Sequence, residues 1–216
     1  MVTILYRISG VQTHPSSFRD VFCSGDGMSG MSICGYLWSF FFVIWMLWAI
    51  GTKATRTRAN FGSGILYLVF TVAAFYLMFS HDVTHDWLRL RILPPDDWIE
   101  NVGIAVTAAG LLFSIWARAH LGRNWSGTVT VKVGHELIRS GPYRWVRHPI
   151  YSGMILAMLG TAINRGQLRG VIAVILLWLG FTIKSRIEER MMTTTFGPEY
   201  EEYHRSTGAI IPRLRL

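Results

Sequence analysis

The run from Ile33 to Ile50, ICGYLWSFFFVIWMLWAI, contains no charged side chain. A helix needs about 20 mostly apolar residues to cross the hydrocarbon core of a bilayer. In lipid the backbone must satisfy its own hydrogen bonds, so such a run is a transmembrane helix. Four more apolar runs follow: Gly64 to Phe79, Trp98 to Ala117 with Glu100 near its start, Tyr151 to Ile163, and Val171 to Ile183. The fourth is short, so it is expected to be tilted or paired in a tight hairpin. The pattern predicts an all-α integral membrane bundle of about five transmembrane helices. The order is a leader at 1–32, helices one to three at 33–117, and a polar-rich region with helices four and five at 118–216.

The leader is mixed, with Ser, Gly and a His14-Pro15 step. It lacks the basic start, short apolar run and small-residue cleavage site of a signal peptide. It is expected to be poorly ordered or interfacial. Cys23 and Cys34 make neither a disulfide framework nor a metal site.

Charge orients the bundle. Lys53, Arg56 and Arg58 follow the first run, whereas Asp82, Asp86, Asp96 and Asp97 follow the second. Between the third and fourth runs lie Arg118, Arg123, Lys132, Arg139, Arg144 and Arg147 against Glu136 alone. The positive-inside rule puts the leader outside and both 118–149 and the C-terminal tail in the cytosol. The formal net charge of +8 is concentrated between and after the apolar runs. That placement points to anionic lipid headgroups or a negatively charged substrate rather than nucleic acid.

Three stretches can carry chemistry. The first is His135 to Gly153, HELIRSGPYRWVRHPIYSG, where Pro149 suits the first turn of a helix. Its aromatics and exposed backbone amides at a helix mouth could hold a flat heterocycle and a carboxylate. Alternatively Arg147, His148 and Tyr151 are interfacial anchors. The second is Lys184 to Arg190, KSRIEER. On a continuing helix Lys184 and Glu188 share a face, either as a solvated ion pair or with Glu188 turned toward the 135–151 loop. The third is the tail, where Phe196, Tyr200 and Tyr203 recur at helical spacing and read as an amphipathic helix packed on the bundle or on headgroups. His81 and His85, in HDVTHD, have the i,i+4 spacing of a metal-ligand pair. No further His or Cys lies nearby, so polar helix-end capping is the better reading.

Taken together, His135-x-Leu137, Gly141-x-Tyr143, Arg147-His148-Pro149-x-Tyr151-x-Gly153, Glu188-Glu189 and Phe196-Gly197-x-x-Tyr200-x-x-Tyr203 resemble the isoprenylcysteine carboxyl methyltransferase family and its bacterial relatives, which are related to phospholipid methyltransferases. The resemblance covers roughly 118–213. It implies S-adenosylmethionine as cofactor and a cytosolic pocket closed by the C-terminal helix, in a membrane such as the bacterial inner membrane. By the same likeness His135, Glu136, Leu137 and Ile138 line the cofactor largely through backbone. Tyr143, Arg147, His148, Pro149, Ile150 and Tyr151 continue the pocket, and Glu188 and Glu189 close it. The family has a substrate-orienting Arg one turn before Glu188. Here Lys184 stands there, with Arg186 nearby, and Lys offers a point charge where Arg grips a carboxylate with two bonds. The expected activity is O-methylation of a lipophilic, isoprenylcysteine-like or otherwise prenylated acceptor among membrane lipids. The rivals are N- or S-methylation of a lipid amine or small thiol, and a non-enzymatic scaffold of the same fold.

Overall fold

The computed structural model describes residues 29–49, 55–58, 61–82, 85–122, 130–132 and 137–213. Five apolar helices form the bundle: α1 (Gly30–Ala49), α2 (Phe61–Phe79), α3 (Asp97–Leu121), α4 (Pro149–Arg165) and α5 (Leu168–Phe196). A short α6 (Pro198–Ser206) follows. A two-stranded antiparallel ribbon, β1 (Thr55–Arg58) with β2 (Thr130–Lys132), is an addition to the all-helical expectation. By length and composition α1, α3 and α5 can each cross a membrane, while the apolar part of α2, Gly64–Phe79, is shorter. The 17 residues of α4 rise about 25 Å, a little less than the core thickness.

Sequence sets which faces meet. On α1 the residues Cys34, Trp38 and Phe41 are buried, and they stand at helical spacing. Phe40 and Met46 on other faces are 66% and 69% exposed, as lipid-facing side chains are. Trp38 Nε1 donates to Thr161 Oγ1 at 3.0 Å, and Thr161 shares a 3.2 Å hydrogen bond with Thr107. These bonds tie α1, α3 and α4 together where water is absent. The α3–α4 seam is closer still. A Cβ at Gly110 would lie 2.4 Å from the Ala157 nitrogen, and one at Gly160 would lie 2.3 Å from that of Thr107. Small residues permit such backbone approach, the usual means of packing helices in lipid. α2 packs instead on α5.

The helices run somewhat beyond the apolar runs. α1 starts at Gly30, inside the segment expected as leader, and residues 1–28 lie outside the described ones. Asp96 caps α3 by accepting from the Trp98 amide at 3.0 Å. α4 and α5 are indeed joined by a tight turn, with Gly166 at φ +64°. Ile92 and Leu93 donate their amides to the Gly166 carbonyl, which fastens the α2–α3 loop to this turn. Arg165 and Arg169 reach the Met78 and Ser80 carbonyls at the end of α2. α2 stops at Phe79, so His81 and His85 are exposed and do not share a helix face.

At the opposite end α5 continues through Lys184–Arg190 as one helix. Gly197, at φ +53°, then breaks the chain direction. Phe196 therefore ends α5, while Tyr200 and Tyr203 are buried on α6, so the three aromatics do not form one stripe. Beyond α6 the chain runs beside residues 146–148. Arg147 and His148 donate their amides to the Gly208 and Ala209 carbonyls, both at 2.9 Å. Of the 135–151 loop and the 184–190 stretch, which the functional reading of Glu188 turns toward each other, the described residues 146–151 and 188–189 do meet at this end.

Candidate functional site

The site begins with a helix start. Pro149 opens α4, where its missing N–H costs nothing. The preceding His148 sits at the N-cap, and Tyr151 follows within the first turn. The His148 and Tyr151 rings are stacked at 5.4 Å, and Tyr151 stacks in turn on Phe181 of α5 at 4.6 Å. The α4 entrance is thereby locked to the stretch of α5 that bears the glutamates.

Glu188 and Glu189 lie in adjacent helical positions but face different partners. Tyr151 donates its hydroxyl to Glu188 Oε1 at 2.7 Å, and His148 Nδ1 lies 3.4 Å from Glu188 Oε2. Glu189 Oε1 accepts from Arg147 Nε at 2.8 Å and lies 3.2 Å from His148 Nε2. Its other oxygen is 3.5 Å from His204 Nε2. Both His148 nitrogens thus face a carboxylate, a place for an imidazolium, which has a donor on each side. Burial opposes charge on His148, but its bonds to the two glutamates outweigh it and raise the pKa above the usual 6.5.

Arg147 is buried and points into the tail. Besides Glu189 it donates to the His204 carbonyl at 3.0 Å and to that of Thr207. Tyr203 donates to the Tyr143 carbonyl at 2.6 Å, and burial pushes its own pKa up to about 12, so it stays a donor. Tyr143 bonds through its hydroxyl to the Ala117 carbonyl at 3.3 Å. Tyr143, Ile150 and Ala117 form a small apolar cluster, against which Ile138 and Trp45 pack.

Lys184 lies one turn before Glu188. Its ammonium is 5.1 Å from the Tyr67 ring centroid and 5.4 Å from that of Tyr151, within cation–π range. Arg186 is exposed on another face of α5, away from this cluster. The structure therefore brings together Ile138, Tyr143, Arg147, His148, Pro149, Ile150, Tyr151, Lys184, Glu188 and Glu189. Leu137 is half-buried at the edge of the connector, and His135 and Glu136 lie outside the described residues. Sequence reasoning missed Tyr67, Phe181 and His204. Tyr67 and Phe181 are aromatic residues inside apolar runs, and nothing local distinguishes them from lipid-facing ones.

Helices anchored by small-residue seams, with an ionised cluster confined to one end, define an integral membrane protein with an interfacial polar site. Residues 98–199 match the family model described as phospholipid methyltransferase. Over 118 residues, 53% of this chain, the sequence is 31% identical to the protein-S-isoprenylcysteine O-methyltransferase of Tribolium castaneum and covers 42% of it. Over 94 residues, 42% of this chain, it is 35% identical to the Saccharomyces cerevisiae protein of the same name and covers 39% of that one. The chain thus spans less than half the length of either. The solved structure of a eukaryotic intramembrane Ras methyltransferase, an isoprenylcysteine carboxyl methyltransferase, aligns with 26% identity and a TM-score of 0.53, over 71% of this chain and 54% of the other. The resemblance carried by the RHPxY and paired-glutamate elements is therefore borne out by sequence and by fold.

Proposed function

We propose that this protein transfers methyl groups from S-adenosylmethionine at the membrane interface, and that its acceptor is the carboxylate of an isoprenylcysteine-like lipid. The observation that carries this reading is Glu188, held by Tyr151 and His148 one turn beyond Lys184, within the segment similar to known methyltransferases. The donor set suits the cofactor. The Glu188 side chain is 18% exposed, so its oxygens can accept from an ammonium or from ribose hydroxyls. Leu137, Ile138, Tyr143 and Ile150 offer backbone and apolar surface beside it, and His135 and Glu136 would complete that wall by the family likeness. When bound, the cofactor supplies an electrophilic methyl on a sulfonium.

The protein's own work is to position the reactants. Lys184, steadied over two aromatic faces, attracts an anionic acceptor; Arg186 faces elsewhere. A free α-carboxyl has a pKa of about 3.3–3.7, so the acceptor is ionised at neutral pH and needs no base. His148 faces a carboxylate oxygen through each ring nitrogen. Its task is to fix the angle of Glu188. Alignment and loss of water can supply about 7–11 kcal/mol of the barrier. The lipid tail remains in the bilayer meanwhile. By the positive-inside rule this end faces the cytosol, where the cofactor is made available.

The description of the matching family model supports a second reading, a lipid amine acceptor. Purified protein incubated with methyl-labelled cofactor and farnesylated cysteine separates the two. The first reading expects label that dilute alkali releases as methanol, as from an ester. Alkali-stable label on a lipid amine would overturn it in favour of the second.

A further inference from the structure

On another face of α4 from Tyr151, a groove of about 980 Å³ lies between α3, α4 and the tail. Phe113, Leu156 and Ile210 line its apolar wall, and Arg139, Arg144 and Arg213 stand around it with Glu202. None of these residues belongs to the Glu188 cluster. Arg139 is engaged, 2.7 Å from Glu199 and 4.0 Å from Glu202. Arg144 and Arg213 are exposed, and among the described residues neither pairs with a carboxylate; Arg213 donates only to the Arg205 carbonyl. The depth of the groove is marked by Trp116 and Trp145, packed edge to face at 5.7 Å, with 44% and 49% of their surfaces exposed. Paired, half-exposed tryptophans belong at the boundary of lipid and headgroup. Leu112, 64% exposed beside Phe113, continues the surface toward hydrocarbon.

We propose that this groove binds an anionic phospholipid, with the phosphate between Arg144 and Arg213 and one acyl chain along Phe113 and Leu156. An apolar wall below and arginines above match the two ends of that molecule, and basic pockets between membrane helices select anionic headgroups. Ile210 of the wall belongs to the tail that runs beside the site: Ser152 donates to the Ile210 carbonyl at 2.5 Å, and Thr207 accepts from Arg147. A lipid seated here braces residues 207–210 against α4 and so supports the Arg147 and His148 contacts from behind.

The test uses full-length protein stripped of lipid in neutral detergent. Phosphatidylglycerol, phosphatidylcholine and glycerol phosphate are each titrated, with bound lipid read by native mass spectrometry and thermal midpoint by light scattering. The expected result is that phosphatidylglycerol alone stays bound and raises the midpoint. The double variant Arg144→Gln, Arg213→Gln should weaken its binding about tenfold while melting like the parent without lipid. Leu156→Trp, which fills the wall from its apolar side, should weaken binding with both arginines present. Equal retention of phosphatidylcholine, an equal shift with glycerol phosphate, or undiminished binding by both variants would overturn the proposal. Lipid retention is read without methyl transfer, so failure here is distinct from failure of the proposed activity.

Discussion

Both ends of the bundle are held by arginines aimed at backbone carbonyls, yet among the described residues only one end also pairs its arginine with a carboxylate. At the turn between α4 and α5, Arg165 and Arg169 bond to the Met78 and Ser80 carbonyls, with Gln167 bridging them. Among the described residues neither pairs with a carboxylate. At the other end Arg147 likewise holds two carbonyls, but it also meets Glu189, and Glu188 stands beside it. Cations at the carbonyl end of a helix offset its dipole and close the fold. The added carboxylates, cross-linked through His148, create a charged surface that can bind something else. An intramembrane arginine is thus a weak sign of function, and an arginine sharing its carboxylate partner with a histidine is a stronger one.

Removing Glu188 tests that distinction most severely. Glu188→Gln should lower methyl transfer by about 100-fold or more, with a smaller loss of thermal midpoint than Glu189→Gln and with cofactor affinity read by calorimetry in detergent. Normal S-adenosylmethionine binding by Glu188→Ala would break the assignment. Glu189→Gln should do the opposite. It leaves Arg147 buried without its carboxylate, a change that costs about 3–5 kcal/mol and appears in the melting curve before it appears in cofactor affinity. Arg169→Ala, at the far end, should cost about 1.5–3 kcal/mol for lost charged hydrogen bonds. Its methyl transfer per folded molecule should be unchanged, and any larger catalytic loss would mean the two ends are coupled.

The pH dependence refines the comparison further. His148 has a folded-state pKa above 6.5, so its contribution to stability is complete below that value. It is lost as the pH rises through the higher folded value. Parent protein should therefore lose midpoint over that window, and His148→Gln should lose less. The smallest effect is expected from Lys184→Arg. It keeps the charge and should alter KM for a carboxylate acceptor a few-fold, with kcat nearly constant, measured on farnesylated cysteine.

The helices were legible because lipid imposes one rule on the backbone and long apolar runs obey it. The RHPxY and paired-glutamate elements were legible as local strings. The different partners of Glu188 and Glu189 were not, because adjacent helix positions point about 100° apart and only the fold decides what each one meets. The tail reading assumed one helix for Phe196, Tyr200 and Tyr203, and Gly197 at φ +53° separates them. Tyr67 entered the site through the packing of α2 on α5, a long-range contact that no spacing encodes. The α3–α4 seam was equally silent, since Gly110 and Gly160 are ordinary glycines until the two backbones meet.

The pairing of residues 207–209 with 146–148 has a consequence for biosynthesis. Arg147 must wait for carbonyls 57 and 60 positions later in the chain. At 5–20 residues per second the delay is roughly 3 to 12 s of translation. α4 can enter the bilayer during that interval, and α5 soon after it. A nascent chain can therefore be fully inserted and still lack the finished contacts around Arg147. Insertion and completion of the polar cluster become separate events in time, with the second awaiting a segment that follows the last apolar helix.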